Sequence, residues 1–201
     1  QNKPATLART LFTVQRVQAM TDTAAKNKAL REASAAIYAD PSAAKSNATG
    51  TALSLSQVQA LLSQDLALVT QATRGAIGLP GDANAPADLL AQLDTNLRVV
   101  EGASPACKTL GEQLRQLAFA GPVNAAVAAF NGGKAEEAGR LAERAAFIYP
   151  DNAVPHFILS GVAQQKGDMA AAERHWTTLA NVTASDTSQQ AKEFRANALY
   201  N

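Results

Sequence analysis

A unit that occurs twice, at a fixed spacing, constrains this chain more than any other feature. The first copy, NGGKAEEAGRLAERAAFIYP, runs from Asn131 to Pro150, and the second, QKGDMAAAERHWTTLANVTA, from Gln165 to Ala184. Setting Gly133 on Gly167 gives an offset of 34 residues, which places Ala138 on Ala172, Leu141 on His175, Ala142 on Trp176 and Ala145 on Leu179. Glycine tolerates the left-handed backbone of a tight interhelix turn, and a small residue five positions later lets two helices approach closely. The spacing predicts two helical hairpins, with helices over 122–131 and 134–149 in the first and over 153–166 and 168–182 in the second. Leu141, Ala145, Ile148, Trp176 and Leu179 are expected to fill the space between them. Pro150 ends the second helix of the first copy.

A 34-residue period made of helix pairs resembles the tetratricopeptide repeat. The resemblance covers about residues 120–201, carried by Gly133, Ala138, Pro150, Gly167, Ala172 and Trp176. It departs from the family pattern early in each first helix, where the chain has Ala125-Ala126 and Leu159-Ser160, and at Ala184, where no Pro closes the second copy. The resemblance implies an all-α fold, with antiparallel helix pairs stacked as a short superhelix and a capping helix over 187–200 bearing Ala191, Phe194, Ala198 and Leu199. It also implies a binding scaffold whose inner face is lined by the first helix of each pair. Projection puts Val123, Asn124, Val127, Phe130 and Asn131 there from one copy, and Phe157 and Gln164 from the other. Members that clamp a C-terminal carboxylate use Lys, Arg and Asn on this face, and here only Asn124 and Asn131 match. The expected ligand is therefore an apolar or amphipathic protein segment. The alternative is that the chain's own N-terminal helices fill the face. About three repeats make a stable array, so the rest of the chain is expected to complete the stack.

The remainder also reads as helix. Alanine makes up roughly a fifth of the chain, and alanine favours helix. Leu7, Leu11, Val14 and Val17 form a stripe in a helix over 4–20 that Pro4 can open. Asp22 or Thr21 caps a helix ending near Ala39, where Asp40-Pro41 stops it. Residues 42–51 read as a polar loop. Ser54 with Gln57 then forms a capping box, flanked by Leu53 and Val58, for a helix carrying Leu61, Leu62, Asp65, Leu66 and Val69 to Arg74 and Gly75. Gly78, Pro80, Gly81 and Asp82 mark 75–85 as a long connection, and the division into an N-terminal helical region (1–80) and a repeat domain (86–201) is drawn there. Pro86 opens a helix with Leu89, Leu90, Leu93, Leu97 and Val100. Ser104 with Pro105 starts another, carrying Leu110, Leu114 and Leu117 and ending at Gly121-Pro122.

Candidates for chemistry are few. His156 and His175 can meet, but no Cys or carboxylate pair at ligand spacing accompanies them. Cys107 stands alone, so no intrachain disulfide forms. It lies beside Lys108 near a helix start, and a small buried residue is the preferred reading. Ser42-Ala43-Ala44-Lys45 matches a serine acylase motif without its partners. Gly132-Gly133-Lys134 lacks the preceding strand of a phosphate loop. Asn47 and Asn181 stand in N-x-T sequons and are given no role. No catalytic residue, metal or cofactor is expected.

A net charge of +1 gives no electrostatic reason to expect nucleic acid, and no run approaches a membrane span. The basic excess in the first forty-odd residues (Lys3, Arg9, Arg16, Lys26, Lys28 and Arg31 against Asp22, Glu32 and Asp40) reads as a solvated face. Low Lys with abundant Ala, Thr, Gln and Asn fits an exported bacterial protein, periplasmic or secreted, with a cytoplasmic location as the alternative. Gln1 at the start is read as following either a removed signal peptide or a trimmed boundary. The expected function is a non-catalytic adaptor binding a protein or peptide. The alternative is a structural or assembly subunit of a larger complex or filament that polymerises through its helix faces, and a homo-oligomer is among the expected partners.

Overall fold

The computed structural model describes residues 5–200, with side chains described up to Ala198. Pro4 and the side chain of Leu199 lie outside the described residues. The fold is all-α, apart from a two-residue antiparallel ladder, and the chain divides into compact units of residues 1–118 and 119–201. The boundary drawn at 80–86 falls inside the first of these.

In the first unit, α1 (Ala5–Gln18), α2 (Thr23–Tyr38), α3 (Pro41–Ser46) and α6 (Leu89–Glu101) surround α4 (Ala48–Leu62). Helix α4 is buried on nearly every side, and Val58, Leu61 and Leu62 meet Val14, Val17, Leu30 and Leu89 in the core. The starts of these helices are set by short acidic or amide side chains that accept otherwise unpaired amides of the first turn. Asp22 Oδ1 accepts from the amides of Ala24 and Ala25 at 2.9 and 3.1 Å. Asp88 Oδ1 accepts from Ala91 at 3.0 Å.

Several sequence expectations are corrected in this unit. Residues 42–51 are helical rather than a loop: Asp40 caps α3, with Pro41 in its first turn, and Asn47 Oδ1 accepts from the Gly50 amide at 2.8 Å to start α4. Ser54 is therefore interior to α4 and caps nothing. The helix expected to reach Arg74 stops at Leu62. Ser63 Oγ donates back to the Ala60 carbonyl, and Asp65 leaves the apolar stripe to cap a short α5 (Leu66–Thr70).

The stretch 75–85 is a folded corner. The Arg74 amide donates to the Ala85 carbonyl and the Gly75 amide to Ala83, both at 2.9 Å. A 3-10 turn at Gly75–Ile77 carries Ile77 and Leu79 into the core. Pro86 opens no helix, because β2 (Pro86–Ala87) pairs with β1 (Ala72–Thr73) and α6 starts at Leu89.

Helix α7 (Pro105–Asn131) does not end at Gly121-Pro122 but carries Pro122 in its interior. Its start is as expected, with the Cys107 amide donating to Ser104 Oγ at 3.2 Å. Within the first unit, Arg115 of α7 pairs with Asp94 and Glu101 of α6.

The second unit contains the end of α7, then α8 (Ala135–Ile148), α9 (Ala153–Gln165), α10 (Met169–Val182) and α11 (Gln189–Tyr200). Helix α9 packs against α8 and α10, and α10 against α11. The two glycine turns share one geometry. Gly133 and Gly167 have φ of +71° and +74°. Their amides donate to the carbonyls of Phe130 and Gln164, and the amides of Lys134 and Asp168 reach back to Ala129 and Ala163 at 2.9 Å. Both are Schellman closures. Ala138 and Ala172, at equivalent positions, are fully buried. The helical-repeat pattern is thus present in the structure as well as in the sequence.

Candidate functional site

The residues projected onto the inner face separate into two groups. Phe130, Phe157 and Gln164 line one groove of about 320 Å³, together with Gly161, Gln165, Trp176 and Asn197. Phe130 and Phe157 meet edge to face at 6.3 Å between centroids, and Phe157 and Trp176 likewise at 6.1 Å. Gly161 makes the first contact possible: a Cβ there would lie 2.8 Å from Phe130 Cζ. Trp176 Nε1 is buried with no hydrogen-bond partner among the described residues.

Asn124, Val127 and Asn131 are exposed but do not line this groove. Val123 is corrected: it is buried in the interior and does not line this groove.

Part of the aromatic surface is covered by the chain itself. Phe194 of α11 stacks on Phe157 at 5.2 Å, and Ala198 packs on the same cluster. Arg195 ties α11 down by donating from Nη1 to the carbonyls of Thr183 and Asp186 at the end of α10. The groove therefore lies where α7, α9, α10 and α11 leave a gap. Gly161 and Asn197 were not singled out in the sequence. Gly161 carried a signal, because it stands 34 residues after Val127 and removes the side chain there. Asn197 carried none, because its place depends on how α11 docks.

The two histidines do meet. His156 is buried and His175 half-buried, with Nδ1 to Nδ1 at 3.5 Å. His156 Nε2 lies 2.9 Å from the Pro150 carbonyl. A carbonyl only accepts, so that nitrogen carries the hydrogen and Nδ1 of the neutral ring presents its lone pair to His175. Burial pushes the His175 imidazole below its usual range, and positive charge on His156, when that ring is protonated, and on Arg174 acts in the same direction.

Other candidates carry less. Cys107 is half-buried rather than buried. Ser42 Oγ donates to Asp40 within the α3 cap, so Ser42-Ala43-Ala44-Lys45 belongs to a helix start. Among the described residues, no group of three or more His, Cys, Asp or Glu is arranged around a metal position, and no helix is long and apolar enough to cross a membrane. No protein-family model, curated protein or solved structure matches the chain.

Proposed function

We propose that residues 119–201 form a tetratricopeptide-like platform whose aromatic groove takes an apolar or amphipathic segment of a protein partner, so that the chain acts as a non-catalytic adaptor. The observation that carries this reading is the convergence of Phe130, Phe157 and Trp176 in one groove, with Gly161 leaving room beneath Phe130. Aromatic side chains supply contact area at low entropic cost. Gln164, Gln165 and Asn197 at the rim carry amide groups able to donate to and accept from a segment's backbone. The family likeness adds support through the matched glycine turns and the buried alanines. The composition supports export, which cell fractionation tests.

Trp176 is the chain's only tryptophan, so its emission reports on the groove directly. The test is selection of peptides on the intact chain by display, followed by titration read at Trp176. Amphipathic peptides with an aromatic or aliphatic anchor are expected to shift the emission saturably, and both Gln164→Ala and Gly161→Leu to weaken them. Selected peptides that bind both variants as tightly as the natural chain would place recognition elsewhere. Concentration-dependent self-association in light scattering, abolished by Gly161→Leu, would favour the assembly-subunit reading instead.

A further inference from the structure

We propose that His156 and His175 form a two-ligand site for a borderline divalent d-block cation, Zn²⁺ being the reference ion, with its remaining positions left to water or an added ligand. The inference does not depend on the groove reading, because different atoms carry it.

The spacing bears on two accounts of the pair, a hydrogen bond and a shared cation. Hydrogen bonds from a nitrogen donor centre near about 2.9–3.0 Å and fade by about 3.6 Å. At 3.5 Å, the Nδ1 to Nδ1 contact is at the edge of that range. Two imidazole nitrogens on one tetrahedral Zn²⁺, each at about 2.0–2.1 Å, stand about 3.3–3.4 Å apart. The observed separation is closer to that edge length than to a good hydrogen bond. The ring planes differ by 31° with centroids 5.7 Å apart, so the rings meet at their Nδ1 edges and do not stack face to face.

The surroundings supply the second requirement, an orienting partner behind a ligand. Metal-binding histidines commonly donate their other N–H to a carbonyl or carboxylate, which fixes the tautomer and the ring angle. His156 has this in the Pro150 carbonyl at 2.9 Å. Neutral His175 needs only to carry its hydrogen on Nε2 instead of Nδ1, an exchange through solvent that leaves the ring uncharged.

His175 also lines an open groove of about 300 Å³, giving water a way to the site. That groove is lined by Glu136, Glu143 and Asp168 on the acidic side and Arg140 and Lys166 on the basic side. With Arg174 next to His175 the three acids face three basic groups, so the surroundings are close to neutral toward a cation. With two protein ligands the site is an exchangeable one, unlike a closed structural zinc site.

The experiment uses the full chain without any histidine tag. Calorimetric titration with Zn²⁺ at pH 7.5 is expected to show one ion per chain, and Co²⁺ in its place to give the visible absorption of a four-coordinate ion. His156→Gln and His175→Gln are each expected to weaken Zn²⁺ at least about tenfold. His175→Leu guards against a folding artefact, because the equivalent residue of the first copy is Leu141 and the position accepts leucine there. Absence of saturable binding overturns the proposal. So does binding that survives in folded His175→Leu, which would leave the pair a long hydrogen bond and put the ion elsewhere.

Discussion

Gly133 and Gly167 stand 34 residues apart and hold the same left-handed backbone, φ +71° and +74°, each closing the helix before it with the same pair of hydrogen bonds. Apart from the glycine itself and its chain neighbours, nothing lies within 4 Å of where a Cβ would sit at either position. The demand for glycine at both positions is therefore conformational and owes nothing to crowding. Gly133→Ala and Gly167→Ala are each expected to cost about 1–2 kcal/mol, the penalty of placing an L side chain in the left-handed region. Urea unfolding measures it. Asn in place of Ala should recover part of the loss, because its side chain tolerates this backbone.

Gly78 makes a different case from the same φ of +71°. A Cβ there would run into the Arg31 carbonyl and lie 2.8 Å from Ser34 Cβ, both on α2. Gly78→Ala adds a collision with fixed backbone to the conformational penalty. Its cost should exceed that of Gly133→Ala by about 1–3 kcal/mol, and Asn should give no recovery. Equal midpoints for the two alanine variants would mean that the corner at 75–85 does not press on α2.

These glycines also mark what was legible in the sequence. The second unit could be read because its signal is periodic. Gly133, Ala138, Gly167 and Ala172 recur at one offset, and local backbone chemistry decides what they do. Phe130, Phe157 and Gln164 were brought together by projecting one face of a helix. Val123, seven residues before Phe130 on the same stripe, was misplaced because the pattern gives a face and not its depth. The first unit is less legible. Ser54 and Gln57 mimic a capping box inside α4, whereas the caps in use are Asn47, Asp65 and Asp88. The pairing of Ala72 with Ala87 across a corner leaves no period in a two-residue strand. Asn197 reaches the groove only through the docking of α11, a tertiary event.

Ala138 and Ala172 test the close approach of the paired helices. Both are fully buried, and at the adjacent Gly139 a Cβ would come within 3.2 Å of Val162 on α9. Ala138→Leu and Ala172→Leu should each cost about 1–3 kcal/mol or more by overpacking. Ala172→Leu should also perturb Trp176 emission, since both residues belong to one buried cluster. Variants that melt like the natural chain would show that the helices do not meet along these positions.

Asp94 gives the clearest pH dependence. Burial raises its carboxyl, but hydrogen bonds from Arg98 and Arg115 and their positive charges outweigh that and hold it below the ordinary 3.8. Arg115 Nη1 lies 2.8 Å from Asp94 Oδ1, and its Nε 2.7 Å from Glu101 Oε1. As pH falls through 3.8 the unfolded chain takes up a proton on this residue before the folded chain does. The stabilisation is therefore complete well above 3.8 and is lost as pH drops below it through the folded value. Asp94→Asn should cost about 1.5 kcal/mol at pH 7, the worth of a charge-assisted hydrogen bond. The gap between the natural chain and the variant should narrow steadily below pH 3.8. Asp40, held low by hydrogen bonds from Ser42 and Thr6, and Asp186, held low by those from Ser188, titrate in the same limb. Both are present in both proteins, so the difference curve isolates Asp94. Urea midpoints from pH 7 down to the acid transition supply that curve, and a gap that stays constant through the limb would show that Asp94 is not held low by Arg115.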